Sequence, residues 1–164
     1  LRATARAITS DLEEQQIIVY EQGDGTSRNQ LLENFKNTSK AVLLGTRSFW
    51  EGIDAPGEAL EILVVAKLPF AVPTEPIVEA KVEKLESEGR NAFMEYTVPE
   101  AAVKLRQGVG RLVRSTSDTG AVIICDKRMV NSRWGDYFRD SLPGRVRIVG
   151  SLPELHAELS DVFE

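Results

Sequence analysis

The chain of 164 residues is poor in the side chains that most often bind metals: it contains one cysteine, Cys125, and one histidine, His156. A single cysteine cannot form an internal disulfide, and without other ligands it cannot hold an iron–sulfur cluster or a structural zinc ion. We therefore expect no metal site in this chain. Because Cys125 lies in an apolar run, the sequence predicts a small buried side chain there. His156 falls in a predicted surface helix and is not expected to be catalytic.

Long apolar runs are also absent, and residues 1–12 lack the layout of a secretory signal. With 42% hydrophobic and 27% charged residues, the composition is that of a soluble globular domain, for which we expect a cytoplasmic location and no membrane partner. The formal net charge of −5 argues against a protein that coats nucleic acid by bulk electrostatics. It leaves room for a local strand-binding groove.

Short apolar runs predict the strands of a parallel sheet at residues 16–20, 41–44, 62–66, 121–125 and 146–149. The second, third and fourth runs are nearly continuous in Val, Ile, Leu and Ala, which is typical of strands that helices cover on both faces. Helices are predicted after a capping box at Ser27 and Gln30, over 74–88, from Pro99 to about Arg114, and over 152–162. This alternation predicts a layered α/β fold with right-handed crossovers.

The first residues already follow a helical pattern without a capping residue before them. Leu1, Ala5, Ile8 and Leu12 fall on one helix face. We therefore expect residues 1–164 to be one domain and a fragment of a longer protein.

The strongest functional signal is the sequence Gln-Gly-Val-Gly-Arg-Leu-Val-Arg at residues 107–114. On a helix, Arg111 lies about 40° and Arg114 about −20° from Gln107, so all three point the same way. The apolar side chains of this helix lie on the opposite side: Ala102, Leu105, Val109 and Leu112.

Two arginines alone would indicate a solvated basic face. Gly108 and Gly110 argue against that alternative, because each costs about 1 kcal/mol against Ala in a helix. Their presence suggests that another molecule approaches the helix backbone closely.

The segment 45–57, Gly-Thr-Arg-Ser-Phe-Trp-Glu-Gly-Ile-Asp-Ala-Pro-Gly, follows a predicted buried strand. Ligands of open α/β sheets bind at the carboxyl ends of the strands. Thr46 and Ser48 offer hydroxyls and amides to phosphate, and Gly52 allows close backbone approach. We therefore expect this loop to contact a ligand.

Three further side chains of the loop have two interpretations each. Phe49 and Trp50 can stack on bases, a contact worth about 1–3 kcal/mol per base that tolerates any sequence; ordinary packing is the alternative. Asp54 can hold a ribose hydroxyl or orient an arginine, and a turn before Pro56 is the alternative.

Together, residues 48–57 and 107–114 resemble the fifth and sixth motifs of superfamily 2 helicases in their XPD/DinG-like version, and the DinG type is the closest. The similarity continues in order through four more segments: Lys-Leu-Pro-Phe at 67–70, Pro-Thr-Glu-Pro at 73–76, Asp-Lys-Arg at 126–128 and the segment 137–143. It covers most of residues 45–143.

The resemblance implies a three-layer RecA-like α/β fold of the P-loop NTPase type, with a mostly parallel sheet whose first strand would precede Leu1. The chain would be the C-terminal motor domain, and its partners would be the N-terminal RecA-like domain of the same protein and single-stranded DNA. Family members that carry an iron–sulfur cluster have its cysteines in that N-terminal domain.

The resemblance also implies residue roles. Arg111 and Arg114 look like the pair that reaches the γ-phosphate across the interdomain cleft, with Gln107 beside them. The nucleotide side of the fifth motif would hold Glu51, Gly52 and Asp54, and its nucleic-acid side would hold Thr46, Ser48, Phe49 and Trp50. Asp126 and Arg128 are expected to position neighbouring residues.

One absence bears directly on this interpretation. The chain has no Gly-x4-Gly-Lys-Ser/Thr loop and no Asp-Glu pair at a strand end. ATP and Mg²⁺ are therefore expected to bind mainly to the N-terminal motor domain, and the chain alone should hydrolyse no ATP. The sequence thus predicts the C-terminal half of an ATP-dependent DNA helicase. The alternative is a non-catalytic nucleic-acid-binding or regulatory module attached to an exonuclease.

Overall fold

The computed structural model describes residues 2–46, 49, 60–110 and 119–163, which belong to two compact units, Leu1–Leu60 (unit 1) and Glu61–Glu164 (unit 2). Each unit contains a two-stranded parallel sheet and helices. The predicted α/β class is therefore confirmed, and the three-layer arrangement stays a prediction.

Unit 1 is a strand–helix–strand arrangement preceded by a helix. Its elements are α1 (Arg2–Glu14), β1 (Ile18–Glu21), α2 (Arg28–Lys36) and β2 (Ala41–Leu44). The two strands pair in parallel, from Ile18 opposite Ala41 to Glu21 opposite Leu44. Among the residues that the structure describes, the core of the unit contains the buried side chains of Ala5, Leu31, Phe35 and Phe49.

The predicted N-cap of α2 forms, and the reciprocal half of the capping box takes another partner. Ser27 Oγ accepts from the Gln30 N–H at 3.3 Å, whereas Gln30 Nε2 donates to Asn34 Oδ1 at 2.9 Å, one turn further along the helix. The helix start is thus fixed by the serine.

Unit 2 contains the other helices and strands whose bounds the structure describes. In chain order they are β3 (Ile62–Val65), α3 (Pro76–Ser87), a π-helical turn (Phe93–Thr97), α4 (Val98–Val109), β4 (Ala121–Ile124), α5 (Arg128–Asn131), α6 (Gly135–Ser141) and α7 (Leu152–Phe163). Strands β3 and β4 pair in parallel, from Ile62 opposite Ala121 to Val65 opposite Ile124. The helix α4 packs on the π-helical turn and on α6.

An aromatic cluster lies within unit 2, made by Phe70, Phe93, Trp134 and Phe138, whose ring centroids are 5.4–6.0 Å apart. Phe138 is fully buried, as are Val98 and Leu105 of α4. Gly135 lets α5 and α6 approach, because a Cβ at this position would overlap the Met129 carbonyl. The core of this unit is therefore partly aromatic and closely packed.

Most predicted elements are present, and their bounds differ from the predicted ones by up to two residues, except at the end of the helix opened by Pro99. The helix predicted over 74–88 begins at Pro76 and ends at Ser87, ahead of Gly89, whose φ of 72° suits glycine. The helix opened by Pro99 ends at Val109 and not near Arg114, and Gly110 follows as its cap. Glycine favours helix ends over helix interiors, which accounts for the earlier stop.

Two other predictions are wrong. Residues 146–149 form no strand, and Arg147 in this segment pairs instead with Glu158 of α7 at 3.6 Å. Cys125 is exposed, not buried. Its N–H still donates to Val65 O at 2.9 Å, but β4 has ended at Ile124 and the side chain that follows the strand is exposed. His156 is exposed on α7, as predicted.

Candidate nucleic-acid interface

Polar groups meet at the carboxyl end of the β1–β2 pair. Gln22 follows β1 directly, and its N–H donates to Leu44 O at 2.9 Å. Gln22 Oε1 accepts from the Thr46 N–H at 2.8 Å and from the Thr46 hydroxyl at 2.9 Å. Thr46, which the sequence predicts to contact nucleic acid, is thus exposed at the edge of a parallel sheet. The residue that holds it there, Gln22, was not predicted from the sequence. The available signal was a polar residue directly after a strand, at the edge to which the loop also belongs.

Phe49, another predicted strand-contact residue, is only 2% exposed. Its ring packs so closely on Gly45 that a Cβ there would lie 3.0 Å from Phe49 Cβ. An Arg28 guanidinium nitrogen donates to Phe49 O at 2.7 Å, and the guanidinium carbon lies 5.4 Å from the ring centroid. This burial favours the packing alternative over base stacking for Phe49.

Gln107 lies in the last turns of α4 and is exposed, whereas Leu105 and Val109 of the same helix are buried. The predicted division between a polar face and an apolar face is therefore confirmed for these positions. Gly108 is also buried, so this glycine packs inward.

The remaining predicted site residues lie outside the described residues. They are Ser48, Trp50, Glu51, Gly52, Asp54, Arg111 and Arg114. Their roles stay predictions.

The carboxyl end of the β3–β4 pair is organised by one carboxylate. Asp126 is 8% exposed, and its Oδ2 accepts from the Leu68 N–H at 2.9 Å. Its Oδ1 accepts from the Arg128 N–H at 3.1 Å, and the Arg128 guanidinium donates to both oxygens at 2.6–3.1 Å. Asp126 therefore joins the chain after β3 to the chain after β4, which agrees with the positional role expected from its motif.

These contacts account for the electrostatics of the pair. Hydrogen bonds from the Arg128 side chain are the main reason why the pKa of Asp126 lies far below its ordinary value; burial opposes them, and the Leu68 and Arg128 N–H groups add to them. The same bonds raise the pKa of the Arg128 guanidinium. The guanidinium carbon also lies 5.0 Å from the Phe70 ring centroid, so the arginine connects the carboxylate to the aromatic cluster.

Over the ranges that the structure describes, no group of three or more histidine, cysteine, aspartate or glutamate side chains could hold a metal ion. Nor does any helix within those ranges have the length and apolar character to cross a bilayer.

Comparison with known families gives a match along most of the chain. The model of the helicase C-terminal domain matches residues 1–145.

Three curated relatives are similar over about three quarters of the chain. An ATP-dependent DNA helicase YoaA of Haemophilus influenzae is 45% identical over 122 residues, which are 74% of this chain and 19% of that protein. An ATP-dependent DNA helicase DinG of Photobacterium profundum is 47% identical over 117 residues, 71% of this chain and 17% of that protein. A 3'-5' exonuclease DinG of Bacillus subtilis is 43% identical over 119 residues, 73% of this chain and 13% of that protein. The chain therefore spans a fifth or less of the length of these relatives.

Proposed function

Because the chain belongs to the helicase C-terminal domain family, we propose that it is the C-terminal motor domain of a DinG-like, ATP-dependent DNA helicase. The observation that carries this proposal is the family match over residues 1–145, together with two relatives named ATP-dependent DNA helicases at 45% and 47% identity. The partners of the domain would be single-stranded DNA and the N-terminal RecA-like domain of the same protein.

The nucleotide role rests on the polar face of α4. Gln107 is exposed on the side of the helix opposite Leu105 and Val109, which is the arrangement that a residue facing a nucleotide requires. In the proposed mechanism the N-terminal domain supplies most of the ATP and Mg²⁺ contacts, and water attacks the γ-phosphate in line. Arg111 and Arg114 stabilise the charge that develops during transfer, with Gln107 beside them.

The proposed contact with single-stranded DNA rests on the residues that follow β2. Thr46 presents a backbone N–H and a hydroxyl at the carboxyl end of a parallel pair, where ligands of such sheets bind. Thr46 and Ser48 would donate to phosphates, and Trp50 would stack on a base. Glu51, Gly52 and Asp54 would lie on the nucleotide side of the same motif. Phe49 would have a packing role, since its ring is buried and lies against Gly45.

The experiment that tests the nucleotide role is ATPase kinetics on full-length Arg111→Ala. An interaction made mainly in the transition state lowers kcat more than it raises KM. We expect a loss in kcat on the order of 10³–10⁵, the range of arginine fingers. Arg111→Lys should restore little, because an ammonium lacks the forked guanidinium geometry.

Arg106→Ala is the matched control, since Arg106 is an exposed arginine of α4, lies near Arg111 in the sequence and has no assigned role. It should leave kcat close to that of the unmodified protein. A near-normal kcat for Arg111→Ala would contradict the proposed role and would favour the alternative interpretation, in which the two arginines belong to a solvated basic face.

A second function is favoured by one relative, the protein of Bacillus subtilis named 3'-5' exonuclease DinG. The chain would then be a non-catalytic strand-binding or regulatory module of a nuclease. Strand displacement by the full-length protein with ATP separates the two functions, because a binding module would displace no strand.

A further inference from the structure

The two hydrogen bonds between Gln22 and Thr46 use one acceptor and two donors. Because the Thr46 backbone N–H donates to the Gln22 side-chain atom, that atom is the amide oxygen, and the hydroxyl must donate to it as well. A threonine hydroxyl carries a single proton. Both Thr46 donors therefore converge on one oxygen, at 2.8 Å and 2.9 Å.

Such a pair of convergent donors suits a phosphate oxygen, which accepts hydrogen bonds and donates none. The pair lies where a ligand can reach it, since Thr46 is exposed and Gln22 is half-buried at the carboxyl end of the β1–β2 pair. The Gln22 backbone is fixed by its bond to Leu44 O, so its side chain can leave Thr46 without disturbing the sheet.

We propose that Gln22 competes with the nucleic-acid strand for Thr46, and that a phosphate oxygen of the strand takes the place of the Gln22 carbonyl oxygen on binding. This inference rests on the strand-contact role proposed for Thr46. In the protein without nucleic acid, the Gln22 carbonyl oxygen accepts from both Thr46 donors and keeps them in one orientation. When nucleic acid binds, both donors bond to phosphate instead.

The energetics agree with such an exchange. A neutral hydrogen bond at the surface stabilises weakly, whereas bonds to an ionised acceptor are roughly twice as strong. Phosphate can therefore displace the neutral amide. A carboxylate at this position would hold both donors more tightly and would also repel phosphate.

The test is the affinity of the full-length protein for a fluorescent oligothymidylate, measured by anisotropy at one fixed salt concentration because such affinities depend strongly on salt. Gln22→Ala removes the competing acceptor and should tighten binding about two- to tenfold, the range expected for loss of one or two weak hydrogen bonds. Gln22→Glu should weaken binding. Gln15→Ala and Gln15→Glu are the matched controls, because Gln15 is an exposed glutamine of the same unit.

The outcomes separate this inference from the function on which it rests. Unchanged or weaker binding by Gln22→Ala would overturn the proposed competition. If the alanine variant unfolds at a lower temperature than the unmodified protein, Gln22→Met is measured in its place, because methionine keeps the side-chain length without the oxygen. Thr46→Ala should weaken binding and should reduce the tightening caused by Gln22→Ala. Unchanged binding in Thr46→Ala alone, with Thr4→Ala of α1 as its control, refutes the strand-contact role itself.

Discussion

The two units solve one structural problem with different chemistry. In each, a side chain that follows one strand accepts the N–H of a residue that follows the neighbouring parallel strand: Gln22 accepts from Thr46 in unit 1, and Asp126 accepts from Leu68 in unit 2. The unit 1 acceptor is neutral and half-buried, whereas the unit 2 acceptor is ionised, 8% exposed and bound to Arg128. The difference teaches that similar sheet edges can carry an exchangeable contact or a permanent one.

The largest expected effect on stability is that of Asp126→Ala. The change leaves the buried Leu68 N–H without this acceptor and removes the carboxylate that orients Arg128. We expect unit 2 to lose about 2–4 kcal/mol, as is usual for breaking buried charged contacts. Hydrogen exchange of the β3 and β4 amides in the full-length protein measures this loss as a lower opening free energy. Hydrogen-exchange protection equal to that of the unmodified protein would show that the contacts of Asp126 do not stabilise unit 2.

A pH dependence should distinguish the two edges. Because the folded-state pKa of Asp126 is lowered, its contribution to stability is present above the unfolded pKa of about 3.9 and is lost as the pH falls from about 5 toward the lowered folded value. The opening free energy of unit 2, corrected for intrinsic exchange, should therefore decrease over this range. In Asp126→Asn that decrease should be smaller. An identical pH profile for the variant would show that other carboxylates cause the loss.

Two glycines give a matched pair of substitutions. Gly135→Ala places a Cβ against the Met129 backbone carbonyl, which cannot move aside cheaply, and should destabilise unit 2 by about 2–3 kcal/mol. Gly45→Ala meets the Phe49 side chain at 3.0 Å, and a shift of a few tenths of an ångström relieves that contact. We expect about 1 kcal/mol for unit 1 by the same principle. Hydrogen exchange of the β2 amides in Gly45→Ala and of the β4 amides in Gly135→Ala measures the two losses of stability. A larger loss for Gly45→Ala than for Gly135→Ala would contradict this account of the packing.

The smallest expected effect is that of Gln22→Met on stability. Its bonds to Thr46 lie at the surface, where water can replace the lost acceptor, so unit 1 should change by roughly 0.5 kcal/mol or less. Protection of the β1 and β2 amides is the measurement. A loss as large as that of Asp126→Ala would show that Gln22 stabilises unit 1 as strongly as Asp126 stabilises unit 2.

The sequence predicted the elements well where a run was nearly uniform. The strand expected at 41–44 matches β2 residue for residue, and the strands expected at 62–66 and 121–125 each end one residue earlier. The prediction at 146–149 failed because an apolar pattern records burial tendency but not a pairing partner. Arg147 interrupts that run and pairs with Glu158.

The candidate site was predictable in part. The outward position of Gln107 followed from helical periodicity, because the 3.6-residue period fixes directions along one helix. The acceptor role of Gln22 did not follow, because it depends on which strand lies beside β1, and nothing local in the sequence specifies that neighbour. The burial of Phe49 was one of two open interpretations, since a loop aromatic is equally consistent with packing and with stacking.

The register of the two parallel pairs also bears on the order in which the chain folds. Ile18 pairs with Ala41, whereas Ile62 must find Ala121, which lies much further along the chain. Bringing the second pair together costs roughly 0.8 kcal/mol more in loop-closure entropy, if both connections behave as flexible chains. Pairings that are close in sequence form faster. The β1–β2 pair should therefore be acquired first during refolding or synthesis, and the β3–β4 pair should close later.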